Sequence, residues 1–266
     1  MQKIKATFLI LLVFFLVACQ NNLEKKFLPE QEIKFSKNYF ELLKNKNFEE
    51  ALKPLNKKLK EKNETKKLLT KIAELFPKEK AKKIDLVGSS TFILNTNDKK
   101  IWSANIAFQY AYDNLWLINN ILLSRINDGK IIVNGVNVTP LHNSLENINK
   151  FSFLNKPFLN YLILFLAVLI PIFIIYTFII FIRTPIKKHK WLWGLFILIG
   201  ITKFTLNWTT GYLHINLLSI NLLGSGFFYG NKFSPVFISI GLPIGAILFW
   251  IKKRKDNKFE EANEKP

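Results

Sequence analysis

Few residues in this chain could do chemistry, and Cys19 comes first among them. It is the only cysteine in 266 residues, and it stands directly behind a 13-residue apolar run, Ala6 to Ala18. A lone thiol cannot close an internal disulfide, so covalent stapling of the fold is excluded. Lys203 with Ser219 or Ser225 has the residue types of a serine and lysine nucleophilic dyad, but nothing in the spacing fixes their geometry. His142 is the only histidine before residue 157, and Asp113 lies beside an expected turn, where a carboxylate is ordinarily solvated. The sequence has no metal-ligand spacing, no glycine-rich phosphate loop and no nucleophile elbow. It predicts a protein that is not an enzyme and carries no metal and no cofactor.

The elements that would hold these residues are segregated by charge. From Gln20 to Lys156 there are 24 Lys+Arg against 15 Asp+Glu, a net of +9, whereas no carboxylate occurs between Asn147 and Lys255. The first part reads as aqueous and the second as membrane-like. Three segments, 158-182, 191-208 and 235-251, are apolar enough to be read as transmembrane helices, each about 25 to 37 Å long at 1.5 Å per residue. Pro171 falls near the middle of the first, where it removes a backbone donor. Four Lys/Arg lie in the loop from Arg183 to Lys190 and four more at 252 to 255, while 209 to 234 carries only Lys232. Positive charge marks the cytoplasmic side, so residues 19-157 are expected outside and the basic tail, 252-266, in the cytoplasm.

Within the membrane region, 157-251, polar groups are scarce. Asn207, Trp208, Thr209, Thr210 and Gly211 form the most distinctive stretch. They read either as a capped exit turn or as an outward-facing contact site. Residues 212 to 230 could be re-entrant or interfacial, since periodicity does not separate the two. Gly241 and Gly245 make a small-xxx-small pair that would let a neighbouring helix approach closely.

Residues 1-18 have Lys3 and Lys5 ahead of the apolar run and read as a signal peptide. Leu16-Val17-Ala18-Cys19 resembles the bacterial lipobox, and that resemblance implies diacylglyceryl transfer to the Cys19 thiol and a lipidated leader, 19-30. Extended, Gln20 to Glu30 reaches at most about 35 Å, which would hold the following domain near the bilayer.

The domain at 31-156 opens with helices. Asn47 can cap a helix with Glu50 three residues on, and Phe48, Leu52, Leu55 and Leu59 then recur at helical spacing. After Pro77 the pattern alternates. Trp102, Ala104, Ile106, Phe108, Tyr110 and Tyr112 share one face of a strand, further strands fall at 84-94, 116-126 and 130-138, and Asp128-Gly129 signals a hairpin. This order, with the Phe108-Gln109-Tyr110-Ala111-Tyr112 strand, resembles the NTF2-like superfamily, which implies a sheet curved around helices into a cone with a pocket. The whole chain is similar to uncharacterised bacterial membrane lipoproteins that join such a domain to C-terminal helices containing a stretch like Lys203 to Gly211. The expected fold class is therefore an α+β exported domain followed by an all-α membrane region of about three transmembrane helices.

The expected function is a lipid-anchored, membrane-spanning envelope protein at the bacterial cytoplasmic (inner) membrane. Its exported domain would bind a partner or small ligand; the alternative is an accessory subunit of a transport or envelope-assembly complex acting through its helices. The expected partners are the lipid bilayer and a membrane or envelope protein, and nucleic acid is not among them. If Cys19 carries the lipid, Cys19→Ser abolishes fatty-acid labelling in cells and leaves the precursor at full mass. Labelling that persists in the variant would refute the assignment.

Overall fold

The computed structural model describes residues 28-263 apart from 63, 97, 98, 128, 187 and 188, with side chains described as far as Arg254. The signal peptide, Cys19, most of the 19-30 leader and Asp128 lie outside the described residues. The chain divides into two compact units between Asn147 and Ile148.

The N-terminal unit opens with α1 (Glu30–Lys44), α2 (Phe48–Leu52), α3 (Lys57–Lys60) and α4 (Thr65–Glu74). Asn47 caps α2 by accepting from the Glu50 N–H at 3.4 Å. Four antiparallel strands follow in sequence order: β1 (Lys83–Thr96), β2 (Lys99–Ala111), β3 (Trp116–Ile126) and β4 (Ile132–Leu141). The alternating side chains of β2 from Trp102 to Tyr110, with Tyr112 just beyond it, are all buried against Tyr39, Phe40 and Leu43 of α1. The short α5 (Leu145–Ile148) is tied back when the Leu145 N–H donates to Gln109 Oε1 at 2.6 Å. The segment between α2 and α3 is stitched to the sheet: Val133 N donates to Pro54 O at 2.8 Å and Asn56 N to Val133 O at 2.9 Å.

In the C-terminal unit the all-α expectation is wrong. A second antiparallel sheet of four strands, in the order β6-β5-β8-β7, packs with three helices. The elements are α6 (Phe158–Arg183), α7 (Lys190–Leu198), β5 (Ile199–Asn207), β6 (Leu213–Leu222), β7 (Ser225–Tyr229), β8 (Val236–Leu242) and α8 (Ile244–Asn263). Among the described residues, α6 alone is long and apolar enough to cross a membrane. It is continuous through Pro171 and measures about 39 Å at 1.5 Å per residue. One stripe of it is buried, through Asn160, Ile163, Ile170, Ile174, Thr177 and Phe181.

The segments 191-208 and 235-251 are each split, the first into α7 then β5 and the second into β8 then α8. β5 and β8 carry β-branched residues (Ile199, Ile201, Thr202, Thr205; Val236, Ile238, Ile240), which fit a pleated sheet, but the helical stretch from Ile170 to Ile182 is at least as rich in them, so the breaks are marked by glycine and proline. Gly200 and Gly241 bring those two backbones together, and Pro243 ends β8 where it cannot donate to the ladder and opens α8 through its carbonyl. Short apolar runs of this kind carry no period that tells strand from helix.

Gly241 therefore lies in a strand and Gly245 in a helix, so the pair does not share one helix face. Gly241 sits against Gly200, while Gly245 packs on the α7 backbone, where a Cβ would collide with the Phe196 carbonyl. Overpacking against side chains costs about 1–3 kcal/mol, and backbone yields less. Gly245→Ala is expected to lower the unfolding midpoint of the detergent-solubilised protein by several degrees, whereas Gly88→Ala, with open space around it, leaves it unchanged. Equal midpoints for both variants would overturn this packing.

Candidate ligand-binding cleft

In the N-terminal unit a cleft of about 1100 Å³ lies between α1, the α2–α3 segment and the turn that leads into β4. Phe35, Leu42, Pro54, Leu55 and Ile131 supply apolar lining. Lys53, Lys57, Lys60 and Lys130 also line it, all four exposed, and Glu50 is the one carboxylate among the described lining residues. Lys53 is paired with Glu50, Lys60 Nζ donates to the Lys53 carbonyl at 2.7 Å, and Lys57 lies 3.9 Å from Glu61. The wall carrying three of these lysines is held to β4 by the Pro54–Val133–Asn56 backbone bonds and by Asn56 Nδ2 donating to Asn134 Oδ1 at 2.9 Å. Such a wall is set before any ligand arrives.

Tyr39 also lines the cleft, and its hydroxyl is buried without a hydrogen-bond partner. Deeper in the unit, Asn119 is fully buried beside the Tyr110 hydroxyl, and neither makes a hydrogen bond of ordinary geometry among the described residues. Arg125, next to the Trp102 ring at 5.4 Å, pairs with the fully buried Glu32 carboxylate at 3.0 Å and ties α1 to β3. Asp113 pairs with Lys82 at the surface, and His142 is exposed just past β4.

In the C-terminal unit, Asn207 to Gly211 form the turn that closes β5. Asn207 Oδ1 accepts from the Thr209 and Thr210 N–H groups at 3.0 and 3.1 Å, and the Gly211 N–H donates to the Asn207 carbonyl at 2.8 Å. Gly211 takes a φ of +72°, the left-handed region that glycine adopts without strain. Trp208 is 1% exposed. Its indole donates to Ser152 O at 2.8 Å and stacks on Phe151 at 4.9 Å, and its carbonyl accepts from Asn160 Nδ2 at 3.0 Å. Trp208 is thus a packing centre, with only the threonines and Gly211 towards solvent. Lys203 and Ser225 sit on β5 and β7 with β8 between them, about 10 Å apart by strand spacing, and Ser219 falls in the irregular stretch of the β5–β6 pairing. The structure brings no serine and lysine dyad together from these.

Residues 212 to 230 hold β6 and β7, the two edge strands of the sheet, which pair with β5 and β8 and not with each other; the turn that joins them reaches the middle of α6, where a Cβ on Gly224 would lie 2.6 Å from Ile170 Cγ2. At one end of this unit Lys190 Nζ donates to the Ile182 and Thr184 carbonyls at 3.0 and 3.1 Å, and Lys252 Nζ lies 5.2 Å from the Trp193 ring. The loop after α6 and the basic run in α8 therefore lie at the same end.

The sequence reading missed the cleft lysines, although Lys53, Lys57 and Lys60 recur at helical spacing. Comparison with protein-family models, curated proteins and solved structures finds no match to this chain. The resemblances to the lipobox, to NTF2-like domains and to membrane lipoproteins thus rest on sequence pattern alone.

Burial raises the Tyr39 and Tyr110 hydroxyls well above the ordinary tyrosine range and pushes Tyr112 up to about 12, with the Glu41 charge adding to the last two. The unfolded chain, ionising near pH 10, then releases these protons first. Stability is complete below about pH 10 and falls above it by up to about 1.4 kcal/mol per pH unit for each tyrosine. On alkaline titration, tyrosinate absorbance from these three is expected to rise together with loss of the β-sheet circular dichroism signal. Complete ionisation of all seven tyrosines with the sheet intact would contradict it.

Proposed function

We propose that this chain is a membrane-anchored binding protein whose N-terminal unit takes up a small ligand and performs no reaction on it. The cleft carries this reading. Its volume lies just above the usual range of small-molecule sites, its lining is half apolar and half polar or charged residues, and its wall is fixed by backbone hydrogen bonds. α6 is the membrane anchor, with Cys19 as a second, lipid anchor. The N-terminal unit lies outside the cytoplasmic membrane and the loop after α6 and the C-terminal tail lie on the cytoplasmic side. The common position of Arg183 to Lys190 and Lys252 at one end of the C-terminal unit supports this orientation.

A second reading, an accessory subunit that docks another protein, is favoured by one observation. β6 is an edge strand without charge or proline, and it exposes Leu217, Leu218 and Ile220. Native mass spectrometry of the full chain released from its own membranes separates the two. Under the binding reading a small-molecule adduct is found in the wild type and in the doubly substituted Leu217→Ser/Leu218→Ser, and is lost when Leu42→Trp fills the cleft. A co-purifying protein lost only in the doubly substituted variant, with no adduct in any sample, would favour the accessory subunit and sink the binding reading.

A further inference from the structure

Resting on the reading of the cleft as a ligand site, we infer that its ligand is an amphipathic anion: an acyl chain bearing a carboxylate or a phosphate. The floor and the rim make two different demands. Phe35, Leu42, Pro54 and Ile131 offer apolar surface to a hydrocarbon, and covering it releases about 25 cal/mol per Å². Lys53, Lys57, Lys60 and Lys130 surround that surface with four positive charges; Glu50 pairs with Lys53 and Glu61 lies 3.9 Å from Lys57, which leaves an excess of two positive charges among these described residues. One hydrogen-bonding group, the Tyr39 hydroxyl, is buried in the lining without a partner.

A small inorganic anion would meet the charge and leave most of the 1100 Å³ and the apolar floor unused. A neutral lipid would fill the floor and make no use of the exposed lysines. An acyl anion satisfies both, with its head among the lysines and its chain across the floor. The lysines hold their places through contacts that leave their charge available: Lys60 bonds a carbonyl, and Lys57 stands 3.9 Å from its nearest carboxylate. Fatty acids and monoacyl phospholipids share this chemistry.

The test uses the full-length chain in nanodiscs of phosphatidylcholine, with acetylation of Lys57, Lys60 and Lys130 read by mass spectrometry against Lys99, which does not line the cleft. Four probes are compared: oleate, monooleoyl lysophosphatidate, monooleoylglycerol and inorganic phosphate. The inference expects oleate, lysophosphatidate or both to protect the three cleft lysines at concentrations at least tenfold below those at which monooleoylglycerol or phosphate does. Protection by oleate alone assigns the ligand to fatty acids, and by lysophosphatidate alone to phospholipids. Fluorescent oleate or lysophosphatidate should bind at least tenfold more weakly to the Lys57→Gln/Lys60→Gln/Lys130→Gln variant, at an unchanged melting temperature. Equal protection by monooleoylglycerol or by phosphate would overturn the amphipathic anion while leaving a ligand site in place. Protection by none of the four would remove the ligand site itself.

Discussion

Three glycines, Gly200, Gly224 and Gly241, approach one another closely, and the C-terminal unit is organised around that approach. A Cβ on Gly200 would lie 2.6 Å from Gly224 Cα and 3.1 Å from the Gly241 carbonyl carbon, and the Gly241 N–H donates to the Gly224 carbonyl at 2.9 Å. Gly224 has a φ of +64° and is wedged against Ile170 and Ile174 of α6. This one contact brings together the turn that joins the two edge strands β6 and β7, the start of β5 and the end of β8. A side chain at Gly200 or Gly224 would force these backbones apart or lift the β6–β7 turn from the helix, and one at Gly241 would have to be accommodated at 3.1 Å.

From that crossing the rest of the unit follows. The Trp250 indole donates to Thr177 Oγ1 at 2.9 Å, binding α8 to α6 on the basic side. At the opposite end Asn160 and Asn207 serve the backbone around Trp208, and Asn149 Nδ2 donates to the Phe233 carbonyl at 2.7 Å. Short asparagine side chains suit such turns because they supply a donor and an acceptor without needing a helix or strand around them. Exposed apolar side chains come from all three helices as well as from β6 and β7, so hydrophobic composition in this half of the sequence reports both a helix long and apolar enough to cross a membrane and sheet strands.

That mixture explains what was legible and what was not. In the N-terminal unit, polar and apolar residues alternate, so the period of two from Trp102 to Tyr112 stands out against a polar background, whereas the helical spacing of Phe48, Leu52, Leu55 and Leu59 misled: the helix stops at Leu52, and Leu55 pairs with Val133 of the sheet before a second short helix holds Leu59. Between Trp191 and Trp208, and between Pro235 and Ile251, nearly every residue is apolar, and no period survives. The signals that could have separated strand from helix were the glycines at 200 and 241 and Pro243; β-branched residues could not, because they cluster as densely in α6. The cleft was hidden for a different reason. Its lining comes from residues 31 to 60 and 129 to 132, which only the antiparallel return of the sheet brings together. The Asn207 turn was readable because its capping chemistry is local, yet the burial of Trp208 depends on Phe151 and Ser152, more than 50 residues away.

Both units bury polar atoms without a partner. Around Trp208, Asn160 Nδ2 and Asn207 Oδ1 serve the backbone of a turn, while Asn160 Oδ1 makes no hydrogen bond among the described residues, nor does Asn221 Nδ2 further along the unit. In the N-terminal unit the Tyr39 hydroxyl and one oxygen of Glu32 are buried without a hydrogen bond among the described residues, and the Tyr110 hydroxyl and the Asn119 amide lie beside each other outside ordinary hydrogen-bond geometry. Each such group costs about 1–3 kcal/mol, a large fraction of the stability of a domain this size. Phenylalanine in place of Tyr39 would remove the cost at almost the same volume, whereas leucine in place of Glu32 would take away the carboxylate that pairs with Arg125 and ties α1 to β3. Tyr39 is where that interior meets the cleft: its side chain contributes to the lining while its hydroxyl is shut away from solvent.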